Sequence, residues 1–180
     1  WQDALAHVQR GITFEPTSLQ LHHAMGLILK ELERYQESLL SFEKALALDP
    51  NDLASMANKG TLLQILGRLD DARAVIKQVI AREPNNSAYY FKLSTITQFK
   101  DGDPHIAAME RLLLPGTESR PEEDQINLHF ALAKAYRDIG KSAQSFRHLV
   151  QGNALRRHHI DYVENAVIDR IDRICQVFTP

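Results

Sequence analysis

Cysteine is almost absent. Cys175 is the single thiol in 180 residues, so no disulfide can form within the chain, and a reducing compartment suits it. At its helical position we read it as a core residue. Long apolar runs are missing too: none approaches the roughly 20 residues a membrane-spanning helix needs. No signal-peptide pattern opens the chain, and a cytoplasmic location with no membrane partner is the expectation. Neither sign of charge dominates, since 21 Lys and Arg against 23 Asp and Glu leave −2. No broad basic field therefore invites nucleic acid or anionic lipid, and the local cluster Arg156-Arg157-His158-His159 is too short to create one. Glycine is sparse, eight residues scattered through turns and helix contacts, so no Gly-rich phosphate loop exists.

The eight histidines raise the question of a metal. His22-His23 and His158-His159 are sequence neighbours, and neighbours on a helix point about 100° apart, so neither pair chelates from one face. No HExxH or clustered Cys/His spacing occurs, and nothing orients Cys175 toward a base. The carboxylates Glu31, Glu33, Asp70, Asp71, Glu122 and Glu123 read as solvated helix faces or first turns. No catalytic residue, metal site or cofactor is expected.

What the chain does have is a period. YQESLLSFEKALALDP (Tyr35 to Pro50) reads as an amphipathic helix followed by its stop. The template recurs at Trp1 to Pro16 and, more loosely, at Leu69 to Pro84. Pro16, Pro50 and Pro84 lie 34 residues apart, and a fixed period of that length specifies stacked helical repeats. Ser18, Asp52 and Asn86 recur one period apart as N-cap types. Helix A of the first full repeat is expected over about Leu19 to Leu32, with Leu21, Ala24, Met25, Ile28 and Leu32 on one face. Helix B follows from Tyr35 to Leu48. Gly26 and Gly60 fall inside helices at the same spacing, with Ser94 next in the series. A mid-helix glycine costs roughly 0.5–1 kcal/mol against alanine, so its recurrence points to close helix approach. Ala4, Ser38 and Ala72 keep the facing position small.

This pattern (Gly26, Tyr35, Ser38, Phe42, Ala45, Pro50, then Gly60, Leu69, Ala72, Ile76, Val79, Pro84) resembles the tetratricopeptide repeat (TPR) family. The aromatic that the family places early in helix A is His22 in one copy and Met56 in the next. The ankyrin repeat, of similar length, is set aside because its T-P-L-H signature is missing. The resemblance implies an all-α, right-handed α-solenoid of helix–turn–helix repeats with a C-terminal capping helix. Its expected divisions are residues 1–16, the second helix of a repeat whose first helix precedes Trp1; 17–50 and 51–84, two full repeats; 85–120, a degenerate repeat with a loop; 121–158, a further repeat; and 159–180, a capping or linking helix. The opening helix is expected to leave Ala4, Leu5, Val8 and Ile12 without their usual cover, so that self-association through the solenoid ends is possible.

Within the third repeat, helix A is expected from Ala88 to Phe99. Asp103-Pro104 then opens helix B over His105 to Leu114, and Pro115 to Pro121 forms a polar loop. Glu122, Glu123 and Asp124 suit the start of the next helix. That repeat has Ala133 at the small position, Tyr136 three residues on, and Gly140 at its turn. The last helix, Tyr162 to Phe178, carries Val163, Ala166, Val167, Ile171, Ile174, Cys175 and Phe178. The stretch LHFALAKAYRDIGK…SFRHLVQGNALRR…IDY…IDRI…VFTP (Leu128 to Pro180) also resembles the junction in bacterial proteins that joins TPRs to a sulfotransferase domain. That likeness implies a parent enzyme in which the following domain holds 3′-phosphoadenosine 5′-phosphosulfate, this chain presenting substrate or holding a dimer. A glycosyltransferase partner fits the segment less well.

By resemblance, the functional surface is the concave groove lined by the A helices. Its expected residues are Gln20, His23, Leu27 and Lys30; Ala57, Thr61 and Gln64; Phe91, Thr95 and Gln98; and Asn127, Phe130, Lys134 and Arg137. Phe91 and Phe130 are the candidate apolar anchors, and Lys134 and Arg137 the candidate donors to carboxylate or phosphate. The Lys/Asn clamp of chaperone-binding TPRs is not matched, because His23, Leu27, Ala57 and Thr61 occupy its positions. The expected partner is a protein or peptide segment, and the expected role is that of an interaction scaffold.

Overall fold

The computed structural model describes residues 1–114 and 120–158, together with Ile168 and Arg173. Among these residues every regular element is a helix: α1 (Gln2–Phe14), α2 (Leu19–Glu31), α3 (Tyr35–Leu48), α4 (Leu53–Ile65), α5 (Leu69–Arg82), α6 (Ser87–Ile96), α7 (Pro104–Leu112), α8 (Glu122–Asp138) and α9 (Ser142–His158). Consecutive helices pack side by side, α2 on α3, α4 on α5 and α8 on α9 forming the tightest pairs. The main core runs along this stack through Phe42, Leu62, Ile76, Leu93, Met109 and Leu132, with Leu5, Ile28 and Leu29 as a smaller cluster beside it. The expected loop residues 115–119 and most of the expected last helix, Cys175 included, lie outside the described residues.

Close approach at the glycines is real. A Cβ on Gly26 would sit 2.7 Å from the Phe42 ring, and one on Gly60 would sit 2.7 Å from Ile76 Cδ1. The facing small residue adds a bond where it is serine: Ser38 Oγ donates to Gly26 O at 2.6 Å. Ser145 Oγ does the same to Ala133 O at 2.7 Å in α8 and α9. Both serines are buried, so each hydroxyl meets its hydrogen-bonding need on the partner helix.

The three proline stops share a second device. Each proline carbonyl would be left over where a helix ends, and a side chain from farther along the chain covers it. His22 Nε2 donates to Pro16 O at 2.8 Å, and Tyr90 Oη to Pro84 O at 2.9 Å. Met56 cannot donate, and there Arg82 Nη1 reaches Pro50 O at 3.3 Å while also touching Met56 Sδ. The departures from an aromatic at this position are thus chemically compensated.

The turns between paired helices follow one scheme. The N–H groups of Arg34, Arg68 and Lys141 reach back to Leu29, Leu63 and Tyr136 carbonyls at 2.8–2.9 Å. The preceding residues, Glu33, Gly67 and Gly140, have φ of 58°, 75° and 77°, the left-handed step such a helix ending requires.

The structure corrects three expectations. Asp52 and Asn86 cap their helices by accepting from Ser55 N and Ala88 N, but Ser18 makes no such bond and its hydroxyl turns to Gln20 Oε1. Helix α6 stops at Ile96 rather than Phe99. The reason is non-local: Arg73 donates to Ile96 O, Lys134 to Thr97 O, and the Asp138 carboxylate accepts from Phe99 N. Side chains of α5 and α8 therefore hold this strip of backbone extended. Helix α7, capped by Asp103 as expected, ends at Leu112 rather than Leu114. With α6 cut short, α6 and α7 touch little, and α6 packs along α8 instead.

Candidate functional site

The A helices α2, α4, α6 and α8 carry the residues expected to line the groove. They are joined by polar side chains rather than by apolar packing alone. His23 Nδ1 lies 2.8 Å from Ser55 Oγ and 3.7 Å from the Asp52 carboxylate, with its ring edge-on to Phe42 at 5.3 Å. Gln64 Nε2 donates to Thr95 Oγ1 at 3.2 Å, and Lys92 Nζ to Thr61 Oγ1 at 2.9 Å. Ser87 Oγ donates to Asp124 Oδ1 at 2.6 Å, and Asn127 Nδ2 lies 3.4 Å from the same hydroxyl. Each bond links one A helix to the next, so these groups fix the curvature of the face.

That assignment sorts the expected groove residues. Gln20, Phe91, Thr95 and Arg137 are exposed, and Lys30 is half-buried with Glu31 at 3.5 Å. Leu27 packs on the margin of the core and Ala57 is buried. Lys134 is held within the chain: it donates to Thr97 O and pairs with Asp138. Gln98 lies beyond the end of α6 and lines a cleft of about 580 Å³ with Arg73, Lys77, Lys100 and Asp101. Phe130 lies against α9, with the Arg156 guanidinium 5.5 Å over its ring and the Gly152 backbone at its edge. Helix packing thus accounts for Phe130, and backbone bracing for Lys134.

Lys92 escaped the sequence reading because the residue one period earlier is Asn58, so no series marked it. The signal was its isolation, a lone charge in SAYYFKLSTI. Burial pushes its ammonium below the ordinary lysine range, and the charge of Lys30 adds to that shift. No carboxylate pairs with Lys92 among the described residues.

A second polar cluster sits between α7, α8 and α9. His129 Nδ1 and His148 Nδ1 are 2.9 Å apart, the His148 ring stacks on Tyr136, and the Tyr136 hydroxyl donates to Glu110. Burial, reinforced by His148, lowers the His129 pKa to about 4. Burial and the bond to Glu110 push that of Tyr136 up to about 12. Among the described residues no group of three or more His, Cys, Asp or Glu comes together to hold a metal ion. No helix among them is long and apolar enough to cross a membrane.

Residues 29–96 match the tetratricopeptide repeat family. No curated protein matches the chain. Among solved structures it is similar to MamA (41-end) from Desulfovibrio magneticus RS-1. The two are 25% identical with a TM-score of 0.68, over 87% of this chain and 86% of that one. A MamA RS-1 ArsTM double mutant gives 24% identity and a TM-score of 0.69, over 89% and 88%. YrrB, described as a TPR protein with an unusual peptide-binding site, gives 17% identity and 0.67, over 88% and 79%. The fold is therefore an all-α TPR solenoid. The sulfotransferase resemblance has no counterpart among these matches.

Proposed function

We propose that this chain is a protein-interaction scaffold that holds a peptide or protein segment against the face formed by α2, α4, α6 and α8, with no chemistry of its own. The observation that carries this reading is the division of labour on that face. His23, Gln64, Thr61, Thr95 and Asn127 are used to brace neighbouring helices and Lys134 to brace the strip after α6, while Gln20, Phe91 and Arg137 stand exposed on the braced surface. A preorganised face with an exposed aromatic suits capture of an extended segment, because little ordering of the receptor remains to oppose binding. The peptide-binding site of YrrB, on the same fold, supports the reading.

The test is selection of ligands from a random peptide library against the chain, followed by Phe91→Ser and Arg137→Glu. Each variant is expected to weaken the selected peptides by about tenfold, with the thermal midpoint unchanged. Full retention of binding in both would move the site off this face. Lys134→Glu is not used, because it would also release the Thr97 carbonyl that ends α6.

A further inference from the structure

The cleft of about 580 Å³ beside the end of α6 is built by α5 and by the connection from α6 to α7. Its walls carry three cations, Arg73, Lys77 and Lys100, against two carboxylates, Asp101 and Asp103. Both carboxylates are already engaged. Asp103 caps α7 by accepting from His105 N at 2.9 Å, with the His105 ring on the same oxygen at 2.8 Å. Asp101 pairs with Lys141 at 3.0 Å. Arg73 is fixed in place, since Nη2 donates to Ile96 O at 2.9 Å and Nη1 to Asp70 at 2.6 Å. The lysine ion pairs among the described residues are those of Lys30, Lys59, Lys134 and Lys141. Lys77 and Lys100 stand outside them, both exposed at the cleft. One further group lacks a role in the fold. Thr97 lines the same cleft at 8% exposure, and its buried hydroxyl has no hydrogen-bond partner among the described residues. A buried hydroxyl left unpaired is costly.

We infer that this cleft binds a phosphate monoester, held by Lys77, Lys100 and the remaining guanidinium N–H groups of Arg73, with the Thr97 hydroxyl donating to it. The charges match. A phosphate monoester carries about −1.5 to −2 near neutral pH and offers three acceptor oxygens, so it meets both unpaired ammonium groups and the hydroxyl at once. A carboxylate brings one charge and two oxygens, and leaves one of these donors unmet. Each ammonium has three donors, and their bonds to phosphate are charge-assisted. Arg73 is ordered before any ligand arrives, which lowers the cost of binding. The lining residues belong to α5 and to the 97–103 connection, so this site and the scaffold face stand or fall separately.

The test titrates the isotope-labelled chain with inorganic phosphate at constant ionic strength, with chloride as the control. Saturable amide shifts are expected at Thr97, Lys100 and Gly102 with phosphate and not with chloride. Lys77→Gln and Lys100→Gln change exposed side chains and should each weaken phosphate by about threefold or more. Asp101→Asn removes a carboxylate from the wall and should tighten it by about threefold. Thr97→Val deletes the unpaired hydroxyl and should weaken phosphate by about threefold, with the thermal midpoint held or raised. Arg73 is left intact, because it also holds the Ile96 carbonyl. Two further probes, a short phosphoserine peptide and glycerol phosphate, assign the source. Tighter binding of the peptide supports a phosphate carried on a protein segment, and equal or tighter binding of glycerol phosphate supports a small phosphate ester. Shifts that appear equally with chloride would overturn the inference. So would phosphate affinity unchanged in both lysine variants.

Discussion

At the scale of single residues, the account rests on what occupies the close contacts. A methyl on Gly26 must displace the ring of Phe42, which is fully buried. One on Gly60 meets the movable end of Ile76. Overpacking of this kind costs about 1–3 kcal/mol, and the better helix propensity of alanine returns roughly 0.5–1 kcal/mol. Gly26→Ala is therefore expected to destabilise the fold by about 1–2 kcal/mol and Gly60→Ala by less, as read from urea midpoints. Equal costs would mean that the two contacts yield alike. The glycine positions were legible in the sequence because they recur with the period. The hydroxyl bonds of Ser38 and Ser145 to facing helix carbonyls were not, since composition says only that a residue is small.

Between elements, the helix turns offer a gain. Glu33 adopts a φ of 58° where Gly67 and Gly140 stand in the matching turns. A side chain in that conformation costs roughly 1–2 kcal/mol, part of which glycine returns as unfolded-state entropy. Glu33→Gly should therefore raise stability by up to about 1 kcal/mol, and a fall in the melting temperature would contradict the turn geometry. The contact of α8 with α9 makes a pH prediction. His129 titrates near 4 in the folded chain, below its ordinary value of 6.5. Its contribution is thus fully present above about 6.5 and is lost as pH falls toward 4. Thermal midpoints should decline across that window, and His129→Gln should flatten the decline. An unchanged slope would show that other groups carry the acid response. Helix bounds set by local signals, such as Tyr35–Leu48 between a turn and Pro50, were readable from sequence. The end of α6 was not, because Arg73, Lys134 and Asp138 act on it from helices before and after.

For the whole molecule, the 34-residue spacing of prolines and glycines carries the architecture, and the TPR solenoid follows from it. The face was only half legible. The repeat register places Gln20, His23, Lys30, Gln64, Phe91 and Asn127 on the A helices, but whether a side chain is exposed or engaged depends on the neighbouring repeat. His23 read from sequence as a groove residue and Lys134 as an available donor, yet each is committed to an adjacent helix or backbone segment. Phe130 read as an anchor and is covered by Arg156. Lys92, which no series marked, is the one cation of α6 and bonds to the neutral hydroxyl of Thr61. The measurement that tests the central claim most directly is amide chemical-shift mapping of the chain with a library-selected peptide at saturation. The account predicts that the shifts concentrate on α2, α4, α6 and α8, with Phe91 and Lys92 among the largest. Shifts concentrated on α3, α5, α7 and α9 would contradict it.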